Sequence, residues 1–153
     1  MDILSLRRCI LTLKIAKYSD IKLGDTAEVS HTFTEQDIQT FGDLSGDYNP
    51  LHFDEEWSKQ TMFGGRIAHG ILTAALVSNV IGMKLPGTGT IYLSQQMRFM
   101  RPVRINDTIT AKVEVVAKDD EKERITLRTE CTNQDGKTVL DGEALVTIMR
   151  LDQ

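Results

Sequence analysis

Ala68-His69-Gly70-Ile71-Leu72-Thr73-Ala74-Ala75-Leu76-Val77-Ser78-Asn79-Val80-Ile81-Gly82-Met83 is the most apolar stretch of this 153-residue sequence. Ile71, Leu72, Ala74, Ala75, Leu76, Val77, Val80 and Ile81 fill it, and from Gly70 to Met83 only Thr73, Ser78 and Asn79 are polar. The expectation is a helix buried nearly all round. At about 1.5 Å per residue it runs about 24 Å, too short to prefer a membrane and suited to the axis of a small domain.

Downstream the period changes to two. Ile91, Leu93, Met97 and Phe99 alternate with Tyr92, Ser94, Gln96 and Arg98, and the pattern repeats in Ile109, Ala111, Val113 and Val115, in Ile125, Leu127 and Cys131, and in Leu140, Ala144, Val146 and Ile148. Four strands follow, each with one buried face. The charged run Lys118 to Glu123 reads as a solvated turn, and Asn133-Gln134-Asp135-Gly136 as a second turn, so the last three strands form an antiparallel meander. A sheet of this kind needs cover for its apolar face, and only the Ala68 to Met83 helix is apolar enough to be wrapped by it. The fold class is therefore α+β, a hot-dog fold: a curved antiparallel sheet around one long central helix.

Upstream, Ala27, Val29 and Phe33 alternate with Glu28, Ser30 and Thr32 in a short strand, with His31 on its apolar side as a partly buried structural residue. Thr34 supplies an N-cap, Glu35 and Asp37 lie in the first turn, and the helix from Thr34 to Leu44 ends at Ser45-Gly46. The segment from Ser45 to His52 reads as a rigid irregular loop, because Pro50 fixes its own φ and keeps Asn49 out of the helical region. Asp54 caps a brief helix through Trp57, and Phe63-Gly64-Gly65-Arg66 forms another loop.

Size allows one domain. Residues 21–153 carry it, and residues 1–20 read as an N-terminal extension. Met1 to Lys17 contains Arg7, Arg8, Lys14 and Lys17 against one acid, Asp2, so a targeting segment and a leading strand or frayed tail both stand. With 18 Lys plus Arg against 22 Asp plus Glu, the formal charge of −4 argues against nucleic-acid partners. Cys9 and Cys131 have no metal-like or disulfide-framework spacing, which places the chain in a reducing compartment, cytoplasmic or alternatively the mitochondrial matrix. No membrane span is expected. His31, His52 and His69 lack the spaced partners of a zinc site, and Gly87-Thr88-Gly89 precedes a strand instead of a helix, so neither a metal nor a redox cofactor is implied.

Asp47 and His52 stand five positions apart across the proline-stiffened loop. An imidazole that titrates near neutrality, beside a carboxylate that can polarise water, can add water to an activated double bond or remove it. The same residue types also build plain turns. At the mouth of the buried helix, Gly70 offers a first-turn N–H to an oxyanion, or merely lets helix and sheet pack closely.

The block Leu44-Ser45-Gly46-Asp47-Tyr48-Asn49-Pro50-Leu51-His52, with Ser58 following, resembles the signature of the MaoC-like, or (R)-specific enoyl-CoA hydratase, family. The likeness continues through Phe63-Gly64-Gly65-Arg66-Ile67-Ala68-His69-Gly70 and Leu93 to Val103, and in all covers Ile21 to Met149. The resemblance implies a hot-dog fold, a homodimer, and reversible hydration of trans-2-enoyl thioesters to (R)-3-hydroxyacyl thioesters. It implies that Asp47 and His52 are the catalytic pair and that Gly70 is the main-chain donor to the thioester carbonyl. It also implies a substrate-contacting set of Ser45, Asn49, Ala68 and His69. Asn106 stands where many relatives have glycine, a change that a left-handed turn accommodates. Arg98, Arg101 and Arg104 have two readings, contact with the phosphates of the substrate carrier and plain solvation.

Three rivals share this fold. Dehydration of 3-hydroxyacyl groups on acyl carrier protein is the same chemistry in reverse and would explain a mitochondrial address. Thioester hydrolysis would need the carboxylate to direct water at the carbonyl carbon. A non-catalytic acyl-binding module is the third, since fold does not fix function.

Overall fold

The computed structural model describes residues 15–150. A single turn of 3-10 helix, Tyr18–Asp20, leads into β1 (Thr26–Thr32), α1 (Glu35–Ser45), α2 (Pro50–Phe53), α3 (Glu55–Ser58), α4 (Gly70–Met83), β2 (Thr90–Phe99), β3 (Thr108–Asp119), β4 (Arg124–Thr132) and β5 (Thr138–Ile148). The five strands make one antiparallel sheet in the order β1-β3-β4-β5-β2. The expected meander is its centre, β3-β4-β5. The basic opening segment up to residue 14 lies outside the described residues, as does Cys9.

The period of two sets the core. On β3 the residues Ile109, Ala111, Val113 and Val115 are buried, and Ile125, Leu127 and Cys131 on β4 and Leu140, Ala144, Val146 and Ile148 on β5 continue the same layer. Val77, Val80 and Ile81 of α4 pack into it. Cys131 is enclosed, and burial pushes its thiol up to about 12, so it serves as a small hydrophobe.

Four expectations need correction. First, α4 is not buried all round: Thr73, Val77, Val80 and Ile81 face the sheet, whereas Ile71 is 57% exposed and Ala75, Ser78 and Met83 also face outward. One sheet covers one side of a helix, and among the described residues no second layer covers the other. Second, β2 has no buried face; among the described residues it is an edge strand paired only with β5, and its register shifts between Tyr92 and Ser94, which breaks the alternation at Leu93. Third, His31 is exposed, and its Nε2 lies 3.0 Å from Asp37 Oδ2. Fourth, the Ser45 to His52 segment is not wholly irregular, because Pro50 occupies the first turn of α2, where its missing N–H costs nothing.

Thr34 caps α1 as its sequence predicts. Its Oγ1 accepts from the Asp37 N–H at 3.2 Å while Asp37 Oδ2 accepts from the Thr34 N–H at 2.7 Å, a reciprocal capping box. Gly46 ends the helix in the left-handed region at φ 75°, and Asn106 takes the same region at φ 71°. The Lys118 to Glu123 run does more than turn: Lys118 Nζ donates to the carbonyls of Tyr18 and Ile21, and the Tyr18 hydroxyl donates to Asp120. These contacts tie the chain entering the domain to the β3-β4 turn.

Candidate active site at the amino end of the central helix

Three short pieces of chain meet above the first turn of α4. The first is the exit from α1. Ser45 Oγ donates to the Phe41 carbonyl at 2.7 Å and accepts from the Asp47 N–H at 3.2 Å, so Ser45 shapes the turn. The second is α2. Asn49 Oδ1 accepts from the Leu51 N–H at 3.0 Å as its N-cap, and the Asn49 N–H in turn donates to Asp47 Oδ1 at 3.2 Å. Buried Ser58 pins α2 from α3, its hydroxyl directed to the carbonyls of Pro50 and Leu51 at 3.1 and 3.2 Å. The third is the strap from Phe63 to His69, held by Arg104, which donates to the carbonyls of Phe63, Gly65 and Arg66.

These pieces bring Asp47, His52 and His69 together. One ligand-type atom from each lies within 4.8 Å of the others, the single such cluster among the described residues. Sequence spacing did not reveal it, because His69 arrives from a different segment. His52 is buried, and its Nδ1 donates to the Ile67 carbonyl at 2.8 Å. A carbonyl only accepts, so the neutral ring carries its proton on Nδ1 and keeps a lone pair on Nε2. Burial holds the His52 pKa below the usual imidazole value against the hydrogen bond to the Ile67 carbonyl and the Asp47 carboxylate, which both raise it, while Arg66 acts with burial. Asp47 differs: its side chain is 50% exposed. The pair therefore comprises a solvated carboxylate beside a sheltered neutral base.

His52 opens onto a cavity of about 470 Å³ walled by Phe63, Ile67, Ala68, Gly70, Thr73, Phe99, Met100 and Val139, among others. The wall is largely apolar, and Arg101 is its one fixed charge. Gly70 opens α4, and its N-cap, His69, makes no side-chain bond to the first turn, so no side-chain cap occupies the N–H groups there. A β-carbon at residue 70 would lie 2.8 Å from Phe99 Cε1, so both readings of Gly70 meet here: it allows close packing, and it lines the cavity.

Of the expected substrate-contacting set, the structure places Ala68 on the cavity wall and puts Ser45, Asn49 and His69 elsewhere. Ser45 and Asn49 hold the Asp47 turn. His69 is 2% exposed and lies behind His52, with ring centroids 3.8 Å apart. Arg104 is spent on main-chain carbonyls and Arg98 pairs with Asp141 at 2.9 Å, whereas the Arg101 side chain makes one bond among the described residues, to the Thr138 carbonyl, and borders the cavity. Sequence reading missed Met62, Phe63, Phe99 and Met100 as lining residues. The signal was large apolar side chains in loops or at a strand end, Met62, Phe63 and Met100 between elements and Phe99 closing β2, where no core demands them.

Comparison with known proteins follows the same lines. The MaoC like domain pattern matches residues 20–136. An (R)-specific enoyl-CoA hydratase of Rhodospirillum rubrum is 47% identical over 131 residues, 86% of this chain and 90% of that protein. A 3-hydroxybutyryl-CoA dehydratase of Methylorubrum extorquens is 40% identical over 141 residues, 92% of this chain and 89% of its own length. Among solved structures, the unliganded R-hydratase of Pseudomonas aeruginosa superposes with a TM-score of 0.82 at 40% identity, covering 91% of this chain and 93% of that one.

Proposed function

Because the chain belongs to the family of MaoC-like domains, we propose that it hydrates trans-2-enoyl-CoA to (R)-3-hydroxyacyl-CoA, reversibly and with both new bonds on one face. One observation carries this reading at the level of residues: the Asp47 carboxylate lies within 4.8 Å of a neutral imidazole, His52, that lines an apolar cavity to which the first residue of a long helix is also presented. The enzyme is a hydro-lyase.

In this reading the acyl chain lies along the apolar wall and the thioester oxygen points to the Gly70 N–H. Asp47 and His52 hold one water between them. As the water oxygen bonds to C3, its proton passes to His52 Nε2, and the π electrons of the C2–C3 bond move onto the thioester oxygen. The α4 N-terminus stabilises that charge, and loss of one such donor typically costs about 100- to 1,000-fold. When the electrons return, C2 takes the proton from His52 on the face that water attacked. Dehydration runs the same steps backwards.

Arg101, at the cavity border with free N–H groups, suits the anionic part of the substrate carrier. A second copy of the chain suits the open side: Ile71, Leu93, Phe99 and Met100 are exposed beside the cavity or along edge strand β2, and a homodimer would cover them.

The decisive assay incubates the purified protein with crotonyl-CoA, follows loss of the conjugated double bond, and tests the product with a stereospecific dehydrogenase. Formation of (R)-3-hydroxybutyryl-CoA is the expected result. Release of free thiol would identify a thioesterase instead, no turnover a binding module, and preference for crotonyl-acyl carrier protein the protein-borne substrate.

A further inference from the structure

We propose that His69 is a positioning residue that couples Asp47 to His52, holding the main chain of the first and backing the ring of the second. The inference rests on the pairing of Asp47 and His52 described above. His69 Nε2 donates to the Asp47 carbonyl at 3.0 Å, and its ring lies 3.8 Å from that of His52 at an interplanar angle of 33°. At 2% exposure, and with no place on the cavity wall, it does not reach the substrate. Nor is it there to cap α4, since its side chain makes no bond to the first turn.

The tautomer supplies the argument. Because a carbonyl accepts only, the proton of the neutral ring sits on Nε2, and Nδ1 is left with a lone pair. That nitrogen is buried without a hydrogen-bond partner among the described residues. A buried acceptor without a donor is an energetic cost, and the surroundings make it avoidable: the rings of Phe41 and Phe53 stand 4.7 and 5.8 Å away, so phenylalanine at position 69 would suit the site's polarity better. What phenylalanine lacks is the N–H to Asp47. The two stacked imidazoles thus hold opposite tautomers, His52 fixed by Ile67 and His69 fixed by Asp47, and together they set where the carboxylate stands relative to the Nε2 lone pair.

The remaining restraints on Asp47 are local, from Ser45 and Asn49; the Asn49 carbonyl also accepts from the His52 N–H at 2.9 Å, but neither residue bonds to the His52 ring. The charged groups that face His52 are Asp47 and Arg66, the latter donating to Glu35 at 2.6 Å and to the His52 carbonyl at 2.7 Å. His69→Phe keeps an aromatic ring against His52 and removes the donor; His69→Gln restores an N–H that can reach the Asp47 carbonyl.

The test measures kcat and KM separately for crotonyl-CoA hydration in both variants, with the pH–rate profile. Displacing a reacting group by about 1 Å costs about 100-fold, so His69→Phe should lose kcat on that scale with KM nearly unchanged. The acid limb of its profile should stay below the usual imidazole value, because phenylalanine keeps His52 buried. His69→Gln should recover most of kcat. Wild-type kcat in folded His69→Phe, or equal loss in both folded variants, overturns the proposal. Nitrogen-15 NMR of the unmodified protein tests it without any variant or substrate. A proton on Nε2 of His69 and on Nδ1 of His52 is expected, and the reverse assignment at His69 overturns it. An inactive wild-type protein with those tautomers would instead remove the hydratase reading.

Discussion

His52 and Asp47 sit five residues apart, yet the fold gives them opposite environments, and the proposed hydration draws on that difference. The imidazole must be neutral to take a proton from water. Its pKa is held below the ordinary value chiefly by burial, which outweighs the opposing hydrogen bond to the Ile67 carbonyl and the nearby Asp47 carboxylate. The rate should therefore be level near neutral pH and fall as acid protonates His52, with a midpoint below about 6.5, the usual imidazole value. An acid limb centred above that value would contradict the assignment. His52→Ala and Asp47→Asn should each lower kcat/KM by about 100- to 10,000-fold while leaving circular dichroism unchanged, the scale expected for losing an acid–base group. Near-wild-type turnover in either folded variant would remove that residue from the mechanism.

Among the elements, α1 and α4 have divided tasks. The capping box at Thr34 fixes where α1 begins, Gly46 fixes where it ends, and Asp47 follows directly. Thr34→Ala should lower unfolding free energy by about 1 kcal/mol in a urea melt, as loss of an N-cap typically does. It should leave KM and kcat alone at 25 °C, because the Asp47 turn has its own bonds to Ser45 and Asn49. A changed kcat would mean that the start of the helix, and not the local turn, places the carboxylate. The long α4 combines two functions along one axis: Val77, Val80 and Ile81 anchor it in the core, and Gly70 presents its N-terminus to the cavity.

At the scale of the molecule, the cavity and the exposed apolar residues share one side. Ile71, Phe99 and Met100 belong to both, and Phe99 is 52% exposed in the single chain. Edge strand β2 adds Ile91, Tyr92 and Leu93. Leu93→Glu places a charge in that face and should convert a dimer to a monomer in sedimentation, with hydration reduced as the cavity loses its cover. A wild-type chain that is monomeric and fully active would show that one copy suffices. Among the described residues no helix is long and apolar enough to cross a membrane, so the exposed apolar surface of α4 is not a span.

Much of this was readable in one dimension, since local rules act over a few residues. Alternation located β3, β4 and β5 and the core layer they build; Thr34 and Gly46 marked both ends of α1; the order of residues from Leu44 to His52 pointed to the family and to the Asp47–His52 pair. Other features had no local signature. That β2 is an edge, that one flank of α4 stays open, and that His31 is exposed depend on which strands become neighbours, and hydropathy along the chain does not encode neighbours. His69 shows the same limit at the site. Its sequence position suggested contact with substrate, whereas packing against His52, Phe41 and Phe53 turned it inward, because the path of the strap from Phe63 to His69 is set by carbonyls held on Arg104, nearly forty residues away. The sequence determined the chemistry that the chain carries; only the tertiary structure decided which imidazole faces the cavity and which one stands behind it.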